Sequence, residues 1–69
     1  MRLYVWEGVL QDYTPGIAFT LASTADEARN LIATSLGGSE YIQKMIKKEL
    51  AGRPRVFTKP IGFGLYGGG

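Results

Sequence analysis

Apolar and polar positions alternate with period two at the start of the chain, move to helical spacing in its middle, and return to short alternating runs near the end. Residues 2–10 combine Tyr4, Val5, Trp6 and Val9, aromatic and β-branched types that suit a pleated surface, and predict a strand. Its alternation puts Leu3, Val5 and Val9 on one face and Tyr4, Trp6 and Leu10 on the other. Both faces are therefore apolar. Glu7 falls among the first set, which predicts either a bulge near Gly8 or a salt-bridged rim position. Asp12, Tyr13, Thr14, Pro15 and Gly16 carry turn chemistry, so a hairpin follows. Its return strand, residues 17–22, sets Ile17, Phe19 and Leu21 against Ala18, Thr20 and Ala22, a half-buried pattern with the small residues outward.

Ser23 and Thr24 stand three residues before Asp26 and Glu27, the spacing of a capping box. Ala28, Leu31, Ile32, Ser35 and Leu36 then recur at helical spacing, and Gly37 falls where a left-handed cap belongs, so a helix is predicted over 25–36. Ser39 opens a second helix with Ile42, Met45, Ile46 and Leu50 on its apolar face, ended by Gly52 and Pro54. Residues 55–58 and 61–66 read as two short strands broken at Lys59 and Pro60. The order is ββααββ, which predicts a single α+β domain over 1–66, an antiparallel sheet with both helices on one face, and a flexible glycine tail at 67–69.

A chain of 69 residues buries only about 60% of the surface that its unfolded form exposes, so it holds one thin core. Such a core supplies roughly 3 to 5 kcal/mol, and domains this small often add a disulfide, a metal or a partner. The sequence has no Cys and no His, which points to self-association or a larger partner. The same absence removes the usual general bases, soft metal ligands and strong nucleophiles. The only adjacent carboxylates, Asp26 and Glu27, are already explained by capping, so no catalytic residue, metal site or cofactor is expected. No basic leader precedes an apolar run and no apolar stretch reaches bilayer length, which predicts a cytoplasmic protein with no membrane partner.

Charge is unevenly placed. Over residues 1–43, Arg2 and Arg29 stand against Glu7, Asp12, Asp26, Glu27 and Glu40. Over residues 44–59, Lys44, Lys47, Lys48, Arg53, Arg55 and Lys59 stand against Glu49 alone. That segment suits phosphates or an acidic protein face, and equally a solvated helix face and a guarded strand edge. Gly52, Arg53 and Pro54 resemble the Gly-Arg-Pro core of AT-hook peptides, although Ala51 stands where a basic residue precedes the glycine there, and a helix stop accounts for them as well. Gly62, Gly64 and Gly67 match G-x-G-x-x-G without the helix start that a nucleotide site requires. Tyr4, Trp6, Tyr13, Phe63 and Tyr66 form a rich aromatic set. With the helices laid over Leu3, Val5 and Ile17, Tyr4, Trp6 and Leu10 become an outward patch suited to a protein partner or a homodimer seam; with that face closed, the set is core.

The opening Tyr4, Val5, Trp6, Glu7, Gly8, Val9 and Leu10, then Asp12, Tyr13, Thr14 and Gly16, and the ending Tyr66, Gly67, Gly68 and Gly69 resemble a set of short bacteriophage and prophage proteins. The resemblance covers the first quarter of the chain and its last few residues. It implies a phage accessory protein acting in bacterial cytoplasm, where small proteins of this kind inhibit host defence, including CRISPR interference, by stoichiometric binding. The expectation is thus a non-catalytic interaction protein that covers a larger host protein or protein–nucleic acid complex, using Tyr4, Trp6 and Tyr13 or the basic residues. The alternative is a nucleic-acid-binding accessory protein that uses Lys44, Lys47, Lys48, Arg53, Arg55 and Lys59.

Overall fold

Two strands, two helices and a third strand follow one another: β1 (Arg2–Val9), β2 (Gly16–Ala22), α1 (Ala25–Leu36), α2 (Glu40–Glu49) and β3 (Arg55–Phe57). The structure, a computed structural model, describes residues 1–10, 16–62 and 64. The class is α+β, as the pattern predicts, with sheet order β2-β1-β3 and both pairs antiparallel. The strand order differs from expectation, being ββααβ among the described residues. Of the anticipated last strand, Ile61, Gly62 and Gly64 are in no strand, and Phe63, Leu65 and Tyr66 lie outside the described residues, as do residues 11–15 and the glycine tail. Pro60 has no N–H to donate, and Gly62 and Gly64 bring no side chain to pack on a pleat.

The hairpin register slips once. Glu7 pairs with Ile17 but Val9 pairs with Gly16, leaving Gly8 extra at φ 68. This bulge carries Val9 to the face of Ala18, where Val9 and Leu10 pack against the core. Glu7 stays on the opposite face, where it takes Arg55 Nη1 at 2.9 Å. Both features suggested for this stretch are present, a bulge at Gly8 and an ion pair at Glu7. A Cβ on Gly16 would lie 2.8 Å from the Val9 carbonyl oxygen, so this position needs glycine for close approach. Gly16→Ala is expected to cost about 1–3 kcal/mol, read as a lower urea midpoint at unchanged slope. An unchanged midpoint would mean that the hairpin end shifts freely.

Local signals set the helix limits. Thr24 caps α1, its Oγ1 accepting the Glu27 N–H at 3.1 Å, while Glu27 Oε1 accepts the Ser23 N–H at 2.8 Å. Gly37, at φ 76, ends the helix, its N–H donating to the Ala33 and Thr34 carbonyls. Ser39 Oγ accepts the Ile42 N–H and caps α2. That helix stops at Glu49, before the anticipated Gly52, because Leu50 leaves helical backbone and is fully buried beneath the sheet aromatics.

The face assignment is the main correction. The main core cluster is Tyr4, Trp6, Ala18, Ala22, Ala28, Ile32 and Leu50, with Val9, Leu10, Ala25 and Ile46 packed against it, while Val5, 2% exposed, is buried on the opposite face of the sheet. Both helices therefore lie on the Tyr4 and Trp6 side of the sheet. In β2 the small residues point inward, and Phe19 and Leu21 point out, the reverse of the expected arrangement. The reason is volume. Register sets Trp6 opposite Ala18 and Tyr4 opposite Thr20, so bulky rings meet small neighbours and α1 can close over them with Ala28 and Ala33. The ring polar atoms are satisfied as well: Trp6 Nε1 donates to the Gly52 carbonyl at 2.9 Å and the Tyr4 hydroxyl to the Ser23 carbonyl at 3.4 Å. No helix among the described residues is long and apolar enough to cross a membrane.

Candidate interaction surface

Two of the three aromatics read as binding residues are core. Tyr4 and Trp6 are 4% and 3% exposed, with ring centroids 6.4 Å apart, and Tyr13 lies outside the described residues. An outward patch does exist, on the other face of the same strands. There the register aligns Leu3 with Leu21 and Phe57, Val5 with Phe19 and Arg55, and Glu7 with Ile17. Phe19 and Leu21 stand 64% and 59% exposed. Their side of the face is apolar. The other side holds the Glu7–Arg55 ion pair, with the Arg55 guanidinium 5.2 Å from the Phe57 ring centroid. The sequence pattern had shown Ile17, Phe19 and Leu21 sharing a face; what it lacked was which face the helices take.

The basic residues do not form one surface. Lys44, Lys47 and Lys48 are exposed on α2, in the helical layer, with Lys44 at 4.0 Å from Glu40. Arg55 sits on the helix-free face of β3 and is paired with Glu7, so the sheet separates it from those lysines. Arg53 is exposed in the connection from α2 to β3, and Lys59 lines a groove of about 330 Å³ with Val56, Phe57 and Ile61. Gly52, whose tripeptide resembles an AT-hook core, is used internally: its carbonyl accepts from Trp6 Nε1 and from Arg29 Nη2.

Arg29 is the residue that the sequence pattern did not single out. Its Nε donates to the Leu50 carbonyl at 2.7 Å, its Nη1 meets Asp26 at 3.0 Å, and its guanidinium carbon lies 5.5 Å from the centroid of the Trp6 ring. One side chain of α1 thus holds the end of α2 against the central strand. Apart from Asp26, its partners stand 21 residues or more away, beyond any local signal.

A second groove, of about 290 Å³, runs between β2 and α1, bounded by Leu10, Ile17, Phe19, Leu31 and Leu36. Among the described residues no charged side chain lines it. Among the described residues no cluster of three His, Cys, Asp or Glu stands close enough to hold a metal ion. The described residues thus bring together exposed apolar side chains on β2 and α1, the Glu7–Arg55 ion pair on the helix-free face, and a helix bearing three exposed lysines. No protein-family model, no curated protein and no solved structure matches this chain.

Proposed function

We propose that this protein is a non-catalytic interaction module that lies against a larger protein with the helix-free face of its sheet. The observation that carries the reading is the outward pair Phe19 and Leu21. Large apolar side chains exposed together in a regular strand mark a contact surface, because leaving them in water forgoes about 1.5–3 kcal/mol each. The Glu7–Arg55 pair beside them supplies a polar rim that fixes orientation. Inhibition of a bacterial defence complex, CRISPR-type systems included, is the finer form of the proposal. It rests on the resemblance of the hairpin and the C-terminal residues to short phage proteins.

The test is affinity capture from bacterial lysates with the native chain and with Phe19→Asp. A protein recovered in stoichiometric amount by the native chain, and at least about tenfold less by the variant, is the expected result. Equal recovery by both would remove the sheet face from the binding site. Recovery of nucleic acid that is lost steeply as salt is raised would instead move the function to Lys44, Lys47 and Lys48.

A further inference from the structure

Strand β2 ends the sheet, and among the described residues no strand pairs with its outer edge. An edge of this kind presents alternate backbone N–H and C=O groups as a template for another strand. Natural edges are guarded by lysine, proline or a bulge, yet Gly16–Ala22 contains no charge and no proline, and the extra residue of this hairpin sits in β1. Alongside the edge, α1 leaves Leu31 and Leu36 47% and 56% exposed, above the uncharged groove.

We propose that this edge is the seam of a homodimer, in which a second copy of the chain adds its own β2 antiparallel to the first and the two sheets become one of six strands. Register is the first reason for choosing a second copy. A two-fold axis beside Phe19 sets Ile17 opposite Leu21 of the second copy, Phe19 opposite Phe19, and Ala18 opposite Thr20. Large residues then meet large ones on the helix-free face and small meet small beneath the helices. Charge is the second. Like charges opposed across a two-fold are the usual obstacle to self-pairing, and the strand contains none, nor does the groove among the described residues. Exposure is the third. Leu31 and Leu36, 47% and 56% exposed, line the groove beside this edge, so the seam buries apolar surface that α1 leaves in water. The seam uses the edge of β2 and the flank of α1, so it goes beyond the partner reading above. It also doubles the helix-free face into one continuous apolar row.

Sedimentation equilibrium of the purified full chain tests it without any foreign partner. The expected mass is twice the 7.5 kDa of one chain at high concentration, falling toward 7.5 kDa on dilution. The double variant Leu31→Glu, Leu36→Glu alters side chains about half exposed and outside the core cluster, so circular dichroism is expected to stay native while self-association weakens by about a hundredfold. The control Ile42→Glu, Met45→Glu, at exposed apolar positions of α2, is expected to dimerise as the native chain does. Three results would each overturn the seam: 7.5 kDa for the native chain throughout, dimers that survive the α1 changes, or dimers that dissolve with the α2 changes.

Discussion

Trp6→Ala leaves the chain largely unfolded at room temperature. Removing a buried tryptophan costs about 3–5 kcal/mol, against a total of roughly 3 to 5 kcal/mol for a single core of this size. Trp6 is the centre of that core: it stacks on Tyr4, bonds the Gly52 carbonyl and lies under the Arg29 guanidinium. Its removal loosens the strand, the residues that follow α2 and helix α1 together. Trp6→Phe separates volume from polarity. It keeps most of the ring but gives up the Nε1 hydrogen bond, so it is expected to fold with a loss of about 1–2 kcal/mol. Far-ultraviolet circular dichroism and urea titration measure both variants, and a folded Trp6→Ala at native midpoint would refute this account of the core. Because the chain has one Trp, native fluorescence reports this single site and is expected to shift to longer wavelength on unfolding.

The second large effect is at Arg29. Arg29→Met leaves the Leu50 and Gly52 carbonyls without the charged donor that now serves both, and it withdraws the cation from the C-terminal end of α2. Hydrogen bonds of this charge-assisted kind are worth about 1.5–3 kcal/mol, which sets the expected loss. Arg29→Lys should recover little, since an ammonium cannot span two carbonyls and the Trp6 ring in the way that a planar fork does. Asp26→Ala is the contrast. Its carboxylate side chain is 92% exposed, so breaking the Arg29–Asp26 pair is expected to cost well under about 1 kcal/mol. Urea midpoints for the three variants check the ranking. A large Asp26 effect, or a silent Arg29→Met, would show that the surface pair and not the carbonyl clamp holds α1 to the end of α2.

The candidate surface was half legible. That Ile17, Phe19 and Leu21 share a face follows from strand alternation alone, and that Lys44, Lys47 and Lys48 are solvated follows from the helix pattern. Which of the two apolar rows of β1 faces the helices did not follow. Leu3 and Val5 are as fit for a core as Tyr4 and Trp6 by hydrophobicity, so period two names two faces and ranks neither. For the same reason the basic stretch looked continuous in sequence, whereas the sheet passes between Arg55 and the α2 lysines.

Local chemistry therefore determined the α+β class, the hairpin with its bulge at Gly8, the caps at Thr24 and Ser39 and the stop at Gly37, since each depends on groups a few residues apart. Tertiary structure alone decided the buried face, the Arg29 clamp and the open edge of β2. Those outcomes depend on distant groups sharing a limited volume: two rings fit only where alanines from another strand and helix make room, and their N–H and O–H are satisfied only by carbonyls that folding brings to them.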